Sequence, residues 1–465
     1  MKPINPPVLA DAIVKHLPFT PNPLQDTVIA MLADFMGGDN PRRIFLLNGY
    51  AGSGKTSLMG ALIKALADMK IRTVTLAPTG RAAKVAANFS GGKASTIHRR
   101  IFRPESSEPD ARFVPAPNPS KDTLFIIDEA SLIYDNPSKS SSILYQVLRY
   151  IYSAPGNIAI LVGDVAQLPP IGMSGTPAMN TDRLSAMGLA PVKFTLDLPM
   201  RQAESSGILH NATNIRQLIF APLPGMTPEL ITTGYHDVEV ISSEDLADKL
   251  SDSWNLVGVD NTVIITRSNY RANKYNVAIR NLVMMAEEPL QQGDRIVIAK
   301  NDYFWSKRNK LNSFIANGDI AEVIWVGKTE KMYGRYFTDV ELRLQSSAAP
   351  IGAKIMLRSL MCEGPSIPNE EMDRFYTHVL SEQEGELSER IKATMEDNFY
   401  NALQAKYGYC VTCHKAQGGQ WNHVYIDMAG IDPGAMDETF YRWLYTAITR
   451  STEKLYFINP TLPVR

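Results

Sequence analysis

Three features of the 465-residue sequence predict an α/β protein built on two open, mainly parallel sheets. Short apolar runs bounded by Gly, Pro or Asp recur along the chain, as buried parallel strands do. Between them lie stretches rich in Ala, Leu, Met and Lys, which favour helices. Finally, 45% hydrophobic and 20% charged residues over this length suffice for two or more cores.

The elements follow in chain order. Residues 44–48 read as a strand and 57–69 as the helix after it; 73–77 and 82–88 repeat the pair. Five prolines between 99 and 122 (Pro104, Pro109, Pro115, Pro117 and Pro119) exclude a regular helix or central strand there and predict a small insertion. Strands resume at 123–127, 159–162 and 262–266. Alternating residues over 293–344, with turn signals at Asn317-Gly318-Asp319 and Tyr333-Gly334-Arg335, predict a small barrel or meander. Residues 369–405 are polar, acidic and helix-favouring, which predicts a helical hairpin before a last strand at 423–427.

Charge excludes less than it first suggests. The 47 Lys+Arg against 48 Asp+Glu give no bulk signal for a polyanionic partner. Yet seven bases and no acid lie between 71 and 103, while nine acids against three bases lie between 370 and 397, so an acidic segment masks a basic remainder. Three cysteines (Cys362, Cys410 and Cys413) cannot form a disulfide framework, and Cys410-Val-Thr-Cys413 reads as ordinary strand. No apolar run of membrane-spanning length and no leader pattern occurs, so a cytoplasmic protein is expected.

The chemistry starts at Gly49-Tyr50-Ala51-Gly52-Ser53-Gly54-Lys55-Thr56, a G-x-x-x-x-G-K-[ST] loop between a strand and a helix. Gly52 and Gly54 let successive N–H groups turn inward around phosphates at a helix N-terminus. Gly49, Ala51, Ser53 and Ser57 complete the predicted nucleotide cradle, Lys55 faces the β and γ phosphates, and the Thr56 hydroxyl is a Mg²⁺ ligand. The strand at 123–127 ends in Asp128-Glu129: Asp128 is the second metal-side candidate and Glu129 the base that polarises the attacking water. A third strand end carries Asp164 and Gln167; sensing of the γ-phosphate and a plain turn closed by Pro169-Pro170 are equally open for Gln167.

The ordered motifs resemble those of superfamily 1 helicases of the 5′-to-3′ branch. Besides the loop and Asp128-Glu129-Ala130-Ser131, they are Ala77-Pro78-Thr79-Gly80-Arg81, Ser95-Thr96-Ile97-His98, Gly163 to Pro170, Leu198-Pro199-Met200-Arg201, Thr266-Arg267-Ser268-Asn269, His414-Lys415-Ala416-Gln417-Gly418 and Tyr445-Thr446-Ala447-Ile448-Thr449-Arg450. The resemblance implies an ATP-dependent motor of two RecA-like domains, 1–195 and 196–292 with 406–465. It implies a pin at 99–122 and an SH3-like barrel with an acidic helical projection at 293–405. It also implies adenine reading by Gln25, cross-cleft arginines Arg201 and Arg450, and strand contacts by Thr79, Arg81, His98, His414 and Lys415, with the histidines equally readable as loop supports. Phe102, Phe113, Phe304 and Trp305 are candidate stacking aromatics, more readily read as core. The expected partners are single-stranded DNA and tailed duplex, the expected cofactors ATP and Mg²⁺, and the expected state a monomer without membrane contact. A DNA-stimulated translocase that does not unwind, and a non-catalytic nucleotide switch, remain alternatives.

Overall fold

The computed structural model describes residues 4–92, 94–104, 113–136, 142–197, 205–221, 227–311, 314–344, 349–432, 434 and 436–465. In chain order the strands are β1 (Arg43–Gly49), β2 (Arg72–Ala77), β3 (Ala94–Thr96), β4 (Phe102–Pro104), β5 (Phe113–Pro115), β6 (Thr123–Ile127), β7 (Ile158–Gly163) and β8 (Ala190–Leu196). They continue as β9 (Val238–Ile241), β10 (Thr262–Thr266), β11 (Arg295–Ile298), β12 (Ile320–Met332), β13 (Arg335–Leu344) and β14 (Ile351–Met356). The last four are β15 (Ala405–Tyr407), β16 (Cys410–Thr412), β17 (Trp421–Asp427) and β18 (Ser451–Ile458).

The first sheet has the order β3-β2-β6-β7-β1-β8, and every pairing in it is parallel. Its central strands β6, β7 and β1 bury nearly every residue, because helices cover both faces and leave no solvent side to alternate with. These three strands are neighbours, so the segments that follow them emerge side by side at the carboxyl edge, where α/β sheets place their ligands. The second sheet, β16-β10-β17-β18-β9, is also parallel. Two parallel sheets were expected; β3, β8, β9 and β18 are additional to the strands read from the sequence.

Between β10 and β16 the chain makes an antiparallel excursion of order β14-β13-β12-β11-β15. Its edges meet, since Leu403 donates to Lys354 O (2.7 Å) and accepts from Met356 N–H (3.1 Å), which closes the sheet into a barrel. The tight turn between β12 and β13 sets Tyr333 and Gly334 at φ 49° and 71°, the positive values that a twisted two-residue hairpin needs. The helical hairpin forms as Asn369–Glu382 and Leu387–Glu396, resting Phe375 and Val379 on Phe337 and Met356 of the barrel. In the Pro-rich insertion β4 pairs antiparallel with β5, while 105–112 and the side chain of Phe113 lie outside the described residues. Cys410 lies in β16 and Cys413 opens a four-residue helix; both thiols are buried and free.

Candidate active site

A cavity of about 300 Å³ lies between the two parallel sheets, lined from the first by residues 50–56, Asp128, Glu129, Asp164 and Gln167, and from the second by Ile208, Leu209, Gly418, Gln420 and Arg450. Gly52 (φ 73°) and Gly54 (φ 85°) adopt the left-handed conformation that the loop needs. Gly49 is required for space: a Cβ there would come within 2.7 Å of the Lys55 side chain, which crosses it. Lys55 donates to the carbonyls of Gly49 and Tyr50, the latter at 3.0 Å, so its ammonium is held over the loop. Thr56 is exposed at the first turn of helix Lys55–Asp68.

Asp128 is half-buried by surface yet deeply enclosed at its carboxylate, and that burial, with the neighbouring Glu129 charge, pushes its pKa up to about 7. Glu129 follows with φ 51° and ψ 36°, a left-handed backbone that a non-glycine residue holds only under constraint from its surroundings. Asp164 accepts from Ala166 N–H (2.9 Å), and Gln167 is buried with its Oε1 unpartnered, an acceptor facing the cavity wall without a donor. Gln25, the adenine-reading candidate, lies in the first turn of helix Pro23–Gly37. Its Oε1 accepts from Asn22 N–H (3.0 Å), its Nε2 donates to Ser53 O (3.3 Å), and it is not among the lining residues. It therefore caps helix Pro23–Gly37 and braces the phosphate loop.

From the second sheet, Arg450 is 3% exposed and uses three donors internally, to Thr446 O (3.0 Å), Gly419 O (3.0 Å) and Thr449 Oγ1 (3.1 Å). A guanidinium has five N–H groups, so this anchoring fixes its plane while donors remain for an anion in the cavity. Arg201 lies outside the described residues. The sequence reading missed the side chains that join the two sheets. On helix Glu438–Ile448, Arg442 donates to Val165 O, Tyr445 OH donates to Asp164 Oδ2 (2.6 Å), and Thr446 Oγ1 accepts from Leu168 N–H (2.8 Å). Gln417 adds a bond from its Nε2 to Leu168 O (2.7 Å).

The nucleic-acid candidates divide by location. Thr79 caps helix Gly80–Phe89, accepting from Ala82 N–H (3.2 Å), and Gly418 packs against both residues from across the cleft. Arg81 stacks over the Trp421 ring at 4.0 Å, and burial followed by the charge of Arg295 lowers its pKa to about 9. Lys415 is lowered to about 8, by burial and then by Lys406, so cations crowd together on this side of the cleft. His98 packs beside Phe102 (5.8 Å between ring centroids), and burial favours its neutral form; His414 is exposed by surface, but its imidazole is partly enclosed, which likewise shifts it down. Phe304 and Trp305 pack with the barrel core, the Trp305 indole donating to Asn401 O (2.8 Å).

Comparison with known proteins finds similarity to separate parts of the chain. The model of an AAA domain matches residues 29–216, and that of a UvrD-like helicase C-terminal domain matches 407–458. Curated ATP-dependent DNA helicases match the chain in part; the helicase dda of Enterobacteria phage T4 is 30% identical over 174 residues, 37% of each chain. Over these parts the chain is similar to ATP-dependent DNA helicases, and it spans little more than a third or less of the length of those curated relatives. The uncharacterized protein R530 of Acanthamoeba polyphaga mimivirus is 23% identical over 94% of this chain and 99% of its own. Among solved structures, Pif1 helicase from Bacteroides in complex with ADP-AlF3 and ssDNA aligns with a TM-score of 0.48 at 17% identity, over 94% of this chain and 92% of that one. The match to dda spans little more than a third of that helicase.

Proposed function

We propose that this chain is an ATP-dependent DNA helicase that couples ATP hydrolysis to 5′-to-3′ translocation on single-stranded DNA and to duplex unwinding. The observation that carries the reading is one cavity in which the phosphate loop, Asp128-Glu129 and Gln167 of one sheet face Arg450 of the other. In this reading Lys55 neutralises the β and γ phosphates, Glu129 accepts the proton of the attacking water, and Gln167 orients on the γ-phosphate. Arg450 and Arg201 stabilise the transferring charge, the first from an anchored plane.

Thr56 and Asp128 suit a Mg²⁺ ion, being a hydroxyl and a buried carboxylate whose charge a cation would offset. Such an ion would neutralise charge developing on the phosphates. The functional units are 1–195 with a pin at 99–122, 196–292 with 406–465, and 293–405 as an SH3-like barrel with its acidic projection. Strand contact is assigned to Thr79, Arg81, His98, His414 and Lys415, in a monomer working in the cytoplasm; among the described residues no helix is long and apolar enough to cross a membrane.

ATPase assays with and without single-stranded DNA test the motor: hydrolysis is expected to rise on adding the strand, and an indifferent rate would refute it. Duplexes with a 5′ or a 3′ tail then test polarity and separation. Hydrolysis and movement without separation would assign the remodelling translocase instead. Strand affinity is expected to fall steeply with salt despite the neutral net charge.

A further inference from the structure

We infer that Tyr445 is the positioning residue that couples the phosphate loop and the Asp164 loop to Arg450, and that stimulation of hydrolysis by DNA passes through its hydroxyl. The inference rests on the motor reading above and specifies how that motor is regulated. Tyr445 belongs to the second sheet's helix Glu438–Ile448 and is 1% exposed, yet both partners of its hydroxyl belong to the first sheet's loops. The oxygen accepts from Ala51 N–H (2.9 Å) in the phosphate loop and donates to Asp164 Oδ2 (2.6 Å) after β7. Asp164 Oδ1 in turn accepts from Ala166 N–H (2.9 Å), so one hydroxyl joins two loops that end neighbouring strands.

The neighbouring contacts repeat the pattern. Arg442, Tyr445 and Thr446 are spaced three and four residues apart and so share one helix face. Each holds a different part of the loop: Val165 O, Asp164 Oδ2 and Leu168 N–H. A loop held at three points moves with the helix. The helix ends two residues before Arg450, whose Nε donates to Thr446 O (3.0 Å), so displacement of the helix carries the guanidinium plane with it. Burial pushes the phenol pKa far above its ordinary value, and the hydroxyl therefore remains a donor at any working pH. Parting the sheets would break the bonds to the Asp164 carboxylate and the part-buried Ala51 amide together, a cost that ties the cleft's width to the shape of the phosphate loop.

The test uses the full chain, with oligo(dT) as the strand and a fluorescent ADP analogue as the nucleotide probe. Wild type is expected to be stimulated by the strand. Tyr445→Phe is expected to keep ADP-analogue affinity and KM for ATP within about threefold, while kcat in the presence of the strand falls about tenfold or more. Undiminished stimulation in that variant would overturn the inference. So would a proportional loss of basal and stimulated rates together with a lowered Tm, the signature of a merely structural side chain. Thr446→Val and Arg442→Gln carry the same test if Tyr445→Phe does not fold, each with an expected loss of about threefold or more in stimulated kcat alone; stimulation equal to wild type in both would equally overturn it. A wild type that the strand does not stimulate would remove the motor reading and this inference with it, whereas a stimulated wild type with indifferent variants would remove the inference alone.

Discussion

The two parallel sheets face one cleft but contribute different kinds of group. The first supplies loops at the ends of adjacent strands: a glycine-shaped phosphate cradle, two consecutive acids, and a carboxylate with an amide. The second supplies side chains carried on a helix and a following turn, among them Arg450, Tyr445 and Arg442. Loops at strand ends present free N–H groups at fixed positions, which suits phosphate; long side chains from a helix reach across a gap and let go when it widens. On the proposed reading, the sheet that binds is distinct from the sheet that times the reaction.

Substitutions on the two sides should separate these roles. Lys55→Ala is expected to abolish measurable ATP hydrolysis and weaken nucleotide binding together, with circular dichroism unchanged; normal turnover would remove the phosphate-site assignment. Glu129→Gln should retain nucleotide affinity and lower kcat by about 10²-fold or more, the scale of a lost general base, in single-turnover assays. From the other side, Arg450→Lys is expected to lower kcat by about tenfold or more with little change in ADP affinity, because an ammonium cannot keep three anchoring bonds and still present a planar donor pair. If Arg450→Lys instead weakened binding as Lys55→Ala does, the contrast between the sheets would fail.

The smallest effect concerns the barrel, whose Asp319 reaches the first sheet: a Cβ on Gly80 would come within 2.7 Å of its Oδ1. Burial raises this carboxyl to about 6, above its unfolded value. The folded chain then binds the proton more tightly, so this group's contribution to stability falls as pH rises from about 4 to about 6 and is level above that. Asp319→Asn, which can still accept from Ala316 N–H, is expected to raise Tm at pH 8 by a few degrees and to flatten the slope between pH 4 and 6 in thermal melts.

Legibility in the sequence follows the same contrast. Strands β1, β6 and β7 carry near-continuous apolar runs because both faces are covered, and the glycines of the phosphate loop are demanded by backbone geometry, so both stand out locally. Strands of mixed composition do not: the edge strand β8 exposes Lys193, and the internal strand β18 carries Thr452, Glu453 and Lys454 before its apolar half. Tyr445 and Thr446 read as ordinary helix core, and their partners lie 281 and 278 residues away in sequence, where no local pattern can reveal them. The same holds for Arg81, whose aromatic partner Trp421 belongs to the other sheet. Gln25 was conspicuous as a residue, and its spacing to Asn22 also satisfies a capping box.

One junction has a mechanical consequence. The excursion that holds the barrel and acidic hairpin leaves and rejoins the second sheet through the paired strands β11 and β15, a single doorway. Beside it Arg280 grips Asp294 with two nitrogens (3.0 and 2.9 Å) and Tyr407 OH with a third (3.1 Å), while Tyr409 OH also donates to Asp294 (2.9 Å), all of it buried. A planar fork on a carboxylate resists twisting as well as stretching. The excursion is thus mounted on the second sheet like an arm on a keyed shaft: in the proposed motor, a rotation of that sheet would carry the barrel with it.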